Sequence, residues 1–254
     1  MNTKQKLILL PTIILSLSSQ AYAGMTELEL GYMNWSDNAT DYFGKAKDNN
    51  EWILIRGETG TDFGDVYAHV KLEDFLDDNM VGSEINVAGQ IHLTESGFNL
   101  YGQVFAKLAN NWSETNMMLG LSHDRFWDNG IHTQVAVAVD YVTSDYALVG
   151  KGDGSQYQVN GFNGGYIWLS LDKNFDFLDQ KFGISWFQEN YFLRGDEYLE
   201  VAGDMNDFGI NGRLAVSYFI SESVSTSLQY RYYNNNGGKS GFHDGIFYSI
   251  VYSF

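Results

Sequence analysis

Apolar and polar residues alternate with a period of two along most of this chain. Val66, Ala68, Val70 and Leu72 interleave with Asp65, Tyr67, His69 and Lys71. Ile85, Val87, Gly89, Ile91 and Leu93 interleave with Asn86, Ala88, Gln90 and His92, and the same rhythm runs through 210–218 and 224–233. A period of two sends successive side chains to opposite faces of a strand, so the pattern predicts strands rather than helices. Twelve are expected: 26–35, 51–59, 63–72, 83–94, 98–108, 115–124, 131–141, 158–171, 181–193, 207–219, 223–233 and 244–254. Each is about as long as the 9–11 residues with which a tilted strand crosses a bilayer. The phase blurs in the upper halves of the eighth and ninth strands, where a bulge is expected.

A soluble sandwich would show the same alternation, so other features must decide. The connectors alternate in length: 36–50 is long, 60–62 short, 73–82 long and 95–97 short. Membrane barrels have this rhythm of long outer loops and short periplasmic turns. The apolar faces carry no charge away from strand ends, whereas the opposite faces hold Arg56, Glu58, Asp65, Lys71, Lys107, Asp140, Arg213 and Arg231. Ile246, Tyr248, Ile250, Tyr252 and Phe254 alternate up to the last residue, and such an apolar edge is safe only if another strand closes on it. The expected fold is therefore all-β, a closed antiparallel transmembrane β-barrel of about 12 strands. Val66, Val70, Ile91, Val137 and Leu214 should face lipid. Segments 36–50, 73–82, 142–156, 194–206 and 234–243 should share one rim, with both termini at the other.

Composition narrows the address and the chemistry. Residues 1–23 form a secretory leader: Lys4 and Lys6, an apolar stretch from Leu7 to Leu17 interrupted by Pro11, then Ala21-Tyr22-Ala23 at the cleavage positions. Its removal leaves a barrel over 24–254 with 13 basic residues against 32 acidic, a net charge of −19. That balance argues against nucleic acid as a partner. The chain has no cysteine, hence no disulfide, Cys-ligated metal or Cys nucleophile. His69, His92, His123, His132 and His243 are scattered, and no G-x-S-x-G or H-E-x-x-H motif is present, so no enzyme, metal or cofactor is expected. The acidic stretches Glu73–Asn79 and Asp37–Asp48 and the glycine-rich Gly150–Gly154 read as solvated loops. Trp35, Trp52, Trp112, Trp127, Trp168 and Trp186 fall mostly near strand ends, where an interfacial belt is expected.

The hairpin Gly60-Thr61-Asp62-Phe63-Gly64-Asp65-Val66-Tyr67-Ala68-His69-Val70 resembles one in the Tsx-type nucleoside-specific channels and their OmpK relatives. Gly60, Phe63, Gly64, Asp65, Tyr67 and Val70 carry the match, with thinner similarity at Asn163–Tyr166, Phe182–Phe192, Gly209–Phe219 and Gly245–Phe254. The resemblance implies an outer-membrane channel of Gram-negative bacteria for passive uptake of nucleosides or similar small polar solutes. Its partners would be outer-membrane lipid, lipopolysaccharide and the solute, with the chain a monomer. Two positions depart from the family pattern. Arg56 and Lys71 stand where the family tends to carry acids.

The inward set holds the candidate solute-binding residues: Arg56, Glu58, Asp65, Tyr67, His69, Gln90, Tyr101, Gln103, Phe105, Arg213, Arg231 and Phe247, with Gln229 and Tyr233 beside them. Ring faces stack on a base or sugar, and amides and charges hydrogen-bond hydroxyls and ring nitrogens. The alternative is a structural or adhesive barrel whose inward side chains close the bore. With the hairpin turn centred near Thr61, Lys71 should lie across from Glu51, and Arg56 near Val66 and Tyr67, within reach of Asp65 or Glu58. Neutralisation of both cations by inward acids is the favoured expectation, because an isolated charge in a narrow bore is costly.

Overall fold

The computed structural model describes residues 24–43, 49–76, 82–109, 112–146, 157–202 and 206–254. Twelve strands pair with their sequence neighbours, and the last pairs with the first, which closes the sheet. They are β1 (Met25–Trp35), β2 (Asn50–Thr61), β3 (Gly64–Glu73), β4 (Gly82–His92), β5 (Phe98–Ala109), β6 (Trp112–Phe126), β7 (Ile131–Tyr146), β8 (Tyr157–Phe177), β9 (Gln180–Phe192), β10 (Gly209–Phe219), β11 (Val224–Asn234) and β12 (Phe242–Ser253). All pairings are antiparallel, and the seam sets Leu30 against Ile250 and Met33 against Phe247. Closure satisfies the backbone of both terminal strands, as a hydrocarbon solvent requires. Phe254 continues the ladder, its N–H donating to the Thr26 carbonyl at 3.0 Å.

The apolar faces point outward. Val66, Ile91, Val137 and Leu214 are exposed, and Val70 shares their face of β3 at intermediate exposure. Short turns close one rim, at residues 62–63, 93–97, 127–130, 178–179 and 220–223, and both described termini lie there. The strand ends that flank the long connectors lie at the other rim, as the rhythm of lengths predicts; 44–48, 77–81, 147–156 and 203–205 of those connectors lie outside the described residues. Two seven-residue helices sit among them, α1 (Asp37–Phe43) and α2 (Asp196–Ala202). Epitope tags inserted in 236–240 should be reached by antibody on intact cells, whereas a tag at 62–63 should be reached only after the membrane is permeabilised. Labelling of 62–63 from outside would invert the topology.

Strand length, one register and the tryptophan belt differ from expectation, and the bulge agrees with it. β6, β7 and β8 are longer than their apolar stretches, because polar residues such as Glu114, Ser144 and Asp145 continue the ladder past the lipid belt. The expected bulge is on β8: Asn163 and Gly164 together oppose Asp140, and Gly164 takes φ +88°, which suits a residue without Cβ. The β2–β3 turn is the pair Asp62-Phe63, so the register lies three residues from the one centred on Thr61. Lys71 is consequently opposite Leu54 rather than Glu51, and Arg56 opposite His69. The tryptophan belt also needs correction. Trp35 and Trp52 are buried inside the barrel mouth, Trp112 packs on the cluster beneath α2, Trp168 stacks inward on Phe187 and Trp186 lies at mid-strand opposite Leu214, which leaves Trp127 in its turn at the expected interface.

Candidate functional site

The interior is partly filled by packed side chains. Near the outer rim Met33, Trp35, Trp52, Leu54 and Phe247 form one cluster with Ala39 of α1. Phe247 meets Trp35 edge-on at 5.0 Å, so it belongs to this packing. A second cluster, lower on the β5–β9 wall, joins Tyr101, Met118, Ala136, Ala138 and Tyr166, with Trp168 and Tyr191 against it. A third seats Tyr198 and Val201 of α2 on Val142 and Val159. The Tyr198 hydroxyl reaches both oxygens of Glu114 at 3.3 Å, so α2 folds into the mouth over β6–β8. Such clusters narrow the bore.

The β1–β5 wall carries a paired charge network. The Arg56 guanidinium meets Glu27 at 2.5 Å and Glu29 at 3.2 Å. Glu29 also accepts from the Ser249 hydroxyl at 2.6 Å and the Gln229 amide at 3.1 Å, which ties β1 and β2 to β11 and β12. Lys71 meets Glu73 at 2.5 Å and Glu84 at 3.9 Å, and Lys107 meets Glu73 at 3.7 Å. Tyr67, His69 and Glu84 form a chain, with 2.9 Å from the Tyr67 hydroxyl to His69 Nδ1 and 2.9 Å from His69 Nε2 to Glu84. Both departures from the family pattern are therefore ion-paired, though not with Asp65, Glu58 or Glu51, the acids that a turn centred on Thr61 would bring near. Asp65 pairs with His92 at 2.9 Å near the turn-side rim. Glu58 is exposed there and stays apart from Arg56.

The β10–β11 wall differs. Arg213 and Arg231 are direct cross-strand partners. The Arg231 Nη2 donates to Asn211 at 2.8 Å and to the Tyr233 hydroxyl at 2.8 Å; Arg213 donates to Ser185 at 3.2 Å. Both guanidinium carbons lie 5.1 Å from the Phe187 ring centre, and Phe187 stacks on Trp168 at 4.8 Å. Among the described residues neither arginine has a carboxylate within 4.0 Å.

The remaining candidates spread down the bore. Gln103 accepts from the Tyr101 hydroxyl at 2.6 Å and donates to Asn86 at 3.0 Å. Gln90 accepts from Asn99 and Ser122 at 2.9 and 2.5 Å. Phe105 is half-buried and level with Asn86 and Asn116. Sequence reasoning misses Glu27, Glu29, Glu73, Glu84, Phe187 and Glu189. Glu27 and Glu29 do sit on the polar phase of β1, a usable signal. Glu73 reads as the start of an acidic loop but is the last residue of β3.

This interior, with rings and donors inside a closed lipid-facing cylinder, is that of a channel wall, and comparison with known proteins gives its family. Residues 29–254 match the sequence model of the family described as nucleoside-specific channel-forming protein, Tsx. The chain belongs to the Tsx family. The NanC porin superposes on this barrel with a TM-score of 0.53 at 9% identity, covering 90% of this chain and 100% of that one. An outer membrane channel from Pseudomonas putida F1 gives 0.52 at 10% identity, covering 92% and 97%. At these identities the likeness is one of fold. Membership of the Tsx family makes the chain a channel of the Gram-negative outer membrane for small solutes such as nucleosides.

Proposed function

We propose that solutes cross this barrel passively, down their gradient, between the β1–β5 and β10–β11 walls, with no chemical step. Tyr67 and Phe105 offer ring faces on one side and Phe187 on the other. Arg56, His69, Gln90, Gln103, Arg213 and Arg231 offer hydrogen bonds. Tyr101 and Phe247 act at one remove, by packing the wall. Glu58 and Asp65 face the turn-side mouth, where solute leaves toward the periplasm. The observation that carries this reading is that rings and polar groups alternate on the half-buried wall positions, such as Tyr67 with His69 and Phe187 with the two arginines. A stacked base and several shared hydrogen bonds make a weak site, as passage requires: binding tight enough to select and loose enough to release.

The mature chain in this reading begins at Gly24. The leader 1–23 lies outside the described residues. The barrel works as a monomer, its apolar face against lipid and lipopolysaccharide. Single-channel recording on the refolded protein tests the proposal. Uridine and adenosine should interrupt the ionic current at concentrations of about 1 mM, as a weak site predicts, and sorbitol should not. A steady current indifferent to every nucleoside would defeat the solute assignment, and a barrel that never conducts would favour the structural alternative.

A further inference from the structure

The bore holds two kinds of cation. Arg56, Lys71 and Lys107 share four acids, Glu27, Glu29, Glu73 and Glu84, so each cation of that wall is already paired. Arg213 and Arg231 have no such partners. Their closest polar contacts are neutral: Ser185 for one, Asn211 and Tyr233 for the other. The acids near them are engaged elsewhere. Glu189 accepts from Asn211 and from the Tyr166 hydroxyl, and Glu84 is held by His69 and Lys71; both attract Arg231, but from beyond ion-pair distance. Glu29 is held by Arg56, Ser249 and Gln229. Asp172 lies near enough to Arg213 to attract it but makes no ion pair with it. Arg56 and Arg231 both repel Arg213.

Two guanidinium groups facing each other from adjacent strands are a costly arrangement, since like charges directly opposite destabilise a sheet. The cost rises because the Arg213 Nε is buried with no acceptor, so its N–H has lost water without replacement. Their common neighbour, Phe187, offers each cation a ring face but no negative charge. Planar forks of this kind match the oxygens of a carboxylate or phosphate. A ring and two forks together suit a solute that carries both a ring and an acid.

We infer that Arg213 and Arg231, beside Phe187, form a subsite for the acidic group of a ring-bearing solute, so that the channel takes phosphorylated or carboxylated solutes in addition to neutral nucleosides. This rests on the channel reading above and extends it to solute charge. A phosphate or carboxylate there would bridge the two guanidiniums, supply the missing acceptor and remove the repulsion between β10 and β11.

Current block in a planar bilayer tests the subsite, using uridine against uridine 5′-monophosphate and glucose against glucuronate. Charge-assisted hydrogen bonds to both arginines should let at least one acid block at about tenfold lower concentration than its neutral parent. The phosphate and carboxylate arms tell which group is held. In the double variant R213Q/R231Q the acid and its neutral parent should block at the same concentration, whatever the change in uridine block itself, and R213K/R231K should retain part of the difference. Acids no stronger than their parents in the wild-type protein would overturn the inference and leave the channel reading intact, a comparison that needs no variant to fold. An advantage that survives R213Q/R231Q in a heat-modifiable, folded barrel would also overturn it. In the wild-type protein, block by glucuronate without block by uridine would instead overturn the nucleoside assignment and support the acid subsite.

Discussion

Arg56→Met should lower the unfolding free energy of the barrel by about 3 kcal/mol, the usual result of stranding a buried charge by removing its partner. Here one guanidinium holds two carboxylates, and both are deeply placed. Glu27 is 8% and Glu29 2% exposed. Ser253 and Ser249 still donate to them in the variant, but hydroxyl dipoles replace only part of a full positive charge. The site also lies on the closure seam, because Glu27 and Glu29 are on β1 while Ser249 and Ser253 are on β12. Urea unfolding of detergent-refolded protein, followed by tryptophan fluorescence, gives the number. The triple variant E27Q/E29Q/R56M should recover most of the loss, since removing all members of an ionic cluster is often close to neutral. A deficit under about 0.5 kcal/mol, typical of an exposed pair, would show that water already screens this site.

The barrel was legible because lipid outside and water or packed side chains inside impose one periodicity on every strand. The alternation of 65–72 fixes which way Val66 and Tyr67 point whatever the turn does. Register is another matter. It depends on turn geometry, and nothing in Gly60-Thr61-Asp62-Phe63-Gly64 announces that Asp62-Phe63 alone make the turn. A three-residue error in register reassigns every cross-strand partner, so Arg56 stands opposite His69 on β3 and not Val66, while its acids come from the other side, Glu27 directly across on β1 and Glu29 beside it. The ends of β6–β8 were illegible for a related reason. Beyond the lipid belt both faces of the ladder meet polar surroundings, so the period that marks a strand fades at Ser144 and Asp145 while its hydrogen bonds continue. The helix α2 left only a faint trace, the apolar pair Tyr198 and Val201 three residues apart. Inward direction could be read for Arg213, Arg231 and Tyr101 alike. Whether an inward side chain is packed, paired or left facing the bore depends on neighbours from several strands, and that separates Tyr101 from Arg213.

Gly120→Val should prevent the barrel from closing. Gly120 faces inward on β6, between Tyr101 of β5 and Ala138 of β7. A Cβ there would be driven into the Val137 carbonyl oxygen and would stand 2.5 Å from the Ala138 Cα and 2.8 Å from its Cβ. Two of these are backbone atoms, so no rotamer change relieves the clash and β7 must move away from β6. The neighbouring side chains leave no slack, because Tyr101, Met118, Ala136, Ala138 and Tyr166 are buried against one another. Overpacking by a methylene costs about 1–3 kcal/mol when side chains can adjust, and displacement of a paired strand should exceed about 4 kcal/mol. In a closed sheet that loss cannot stay local: strands parted from β6–β7 must be accommodated around the ring or leave an unpaired edge in lipid. The measurement is the fraction of protein that migrates differently before and after heating on a gel, the signature of a closed barrel. Gly120→Val should leave little of that species, and Gly120→Ala should reduce it. Gly57→Ala is the control, since a Cβ at Gly57 meets nothing closer than 3.4 Å. Normal folding of Gly120→Val would mean that β6 and β7 can separate without opening the ring, against the packing described for this wall.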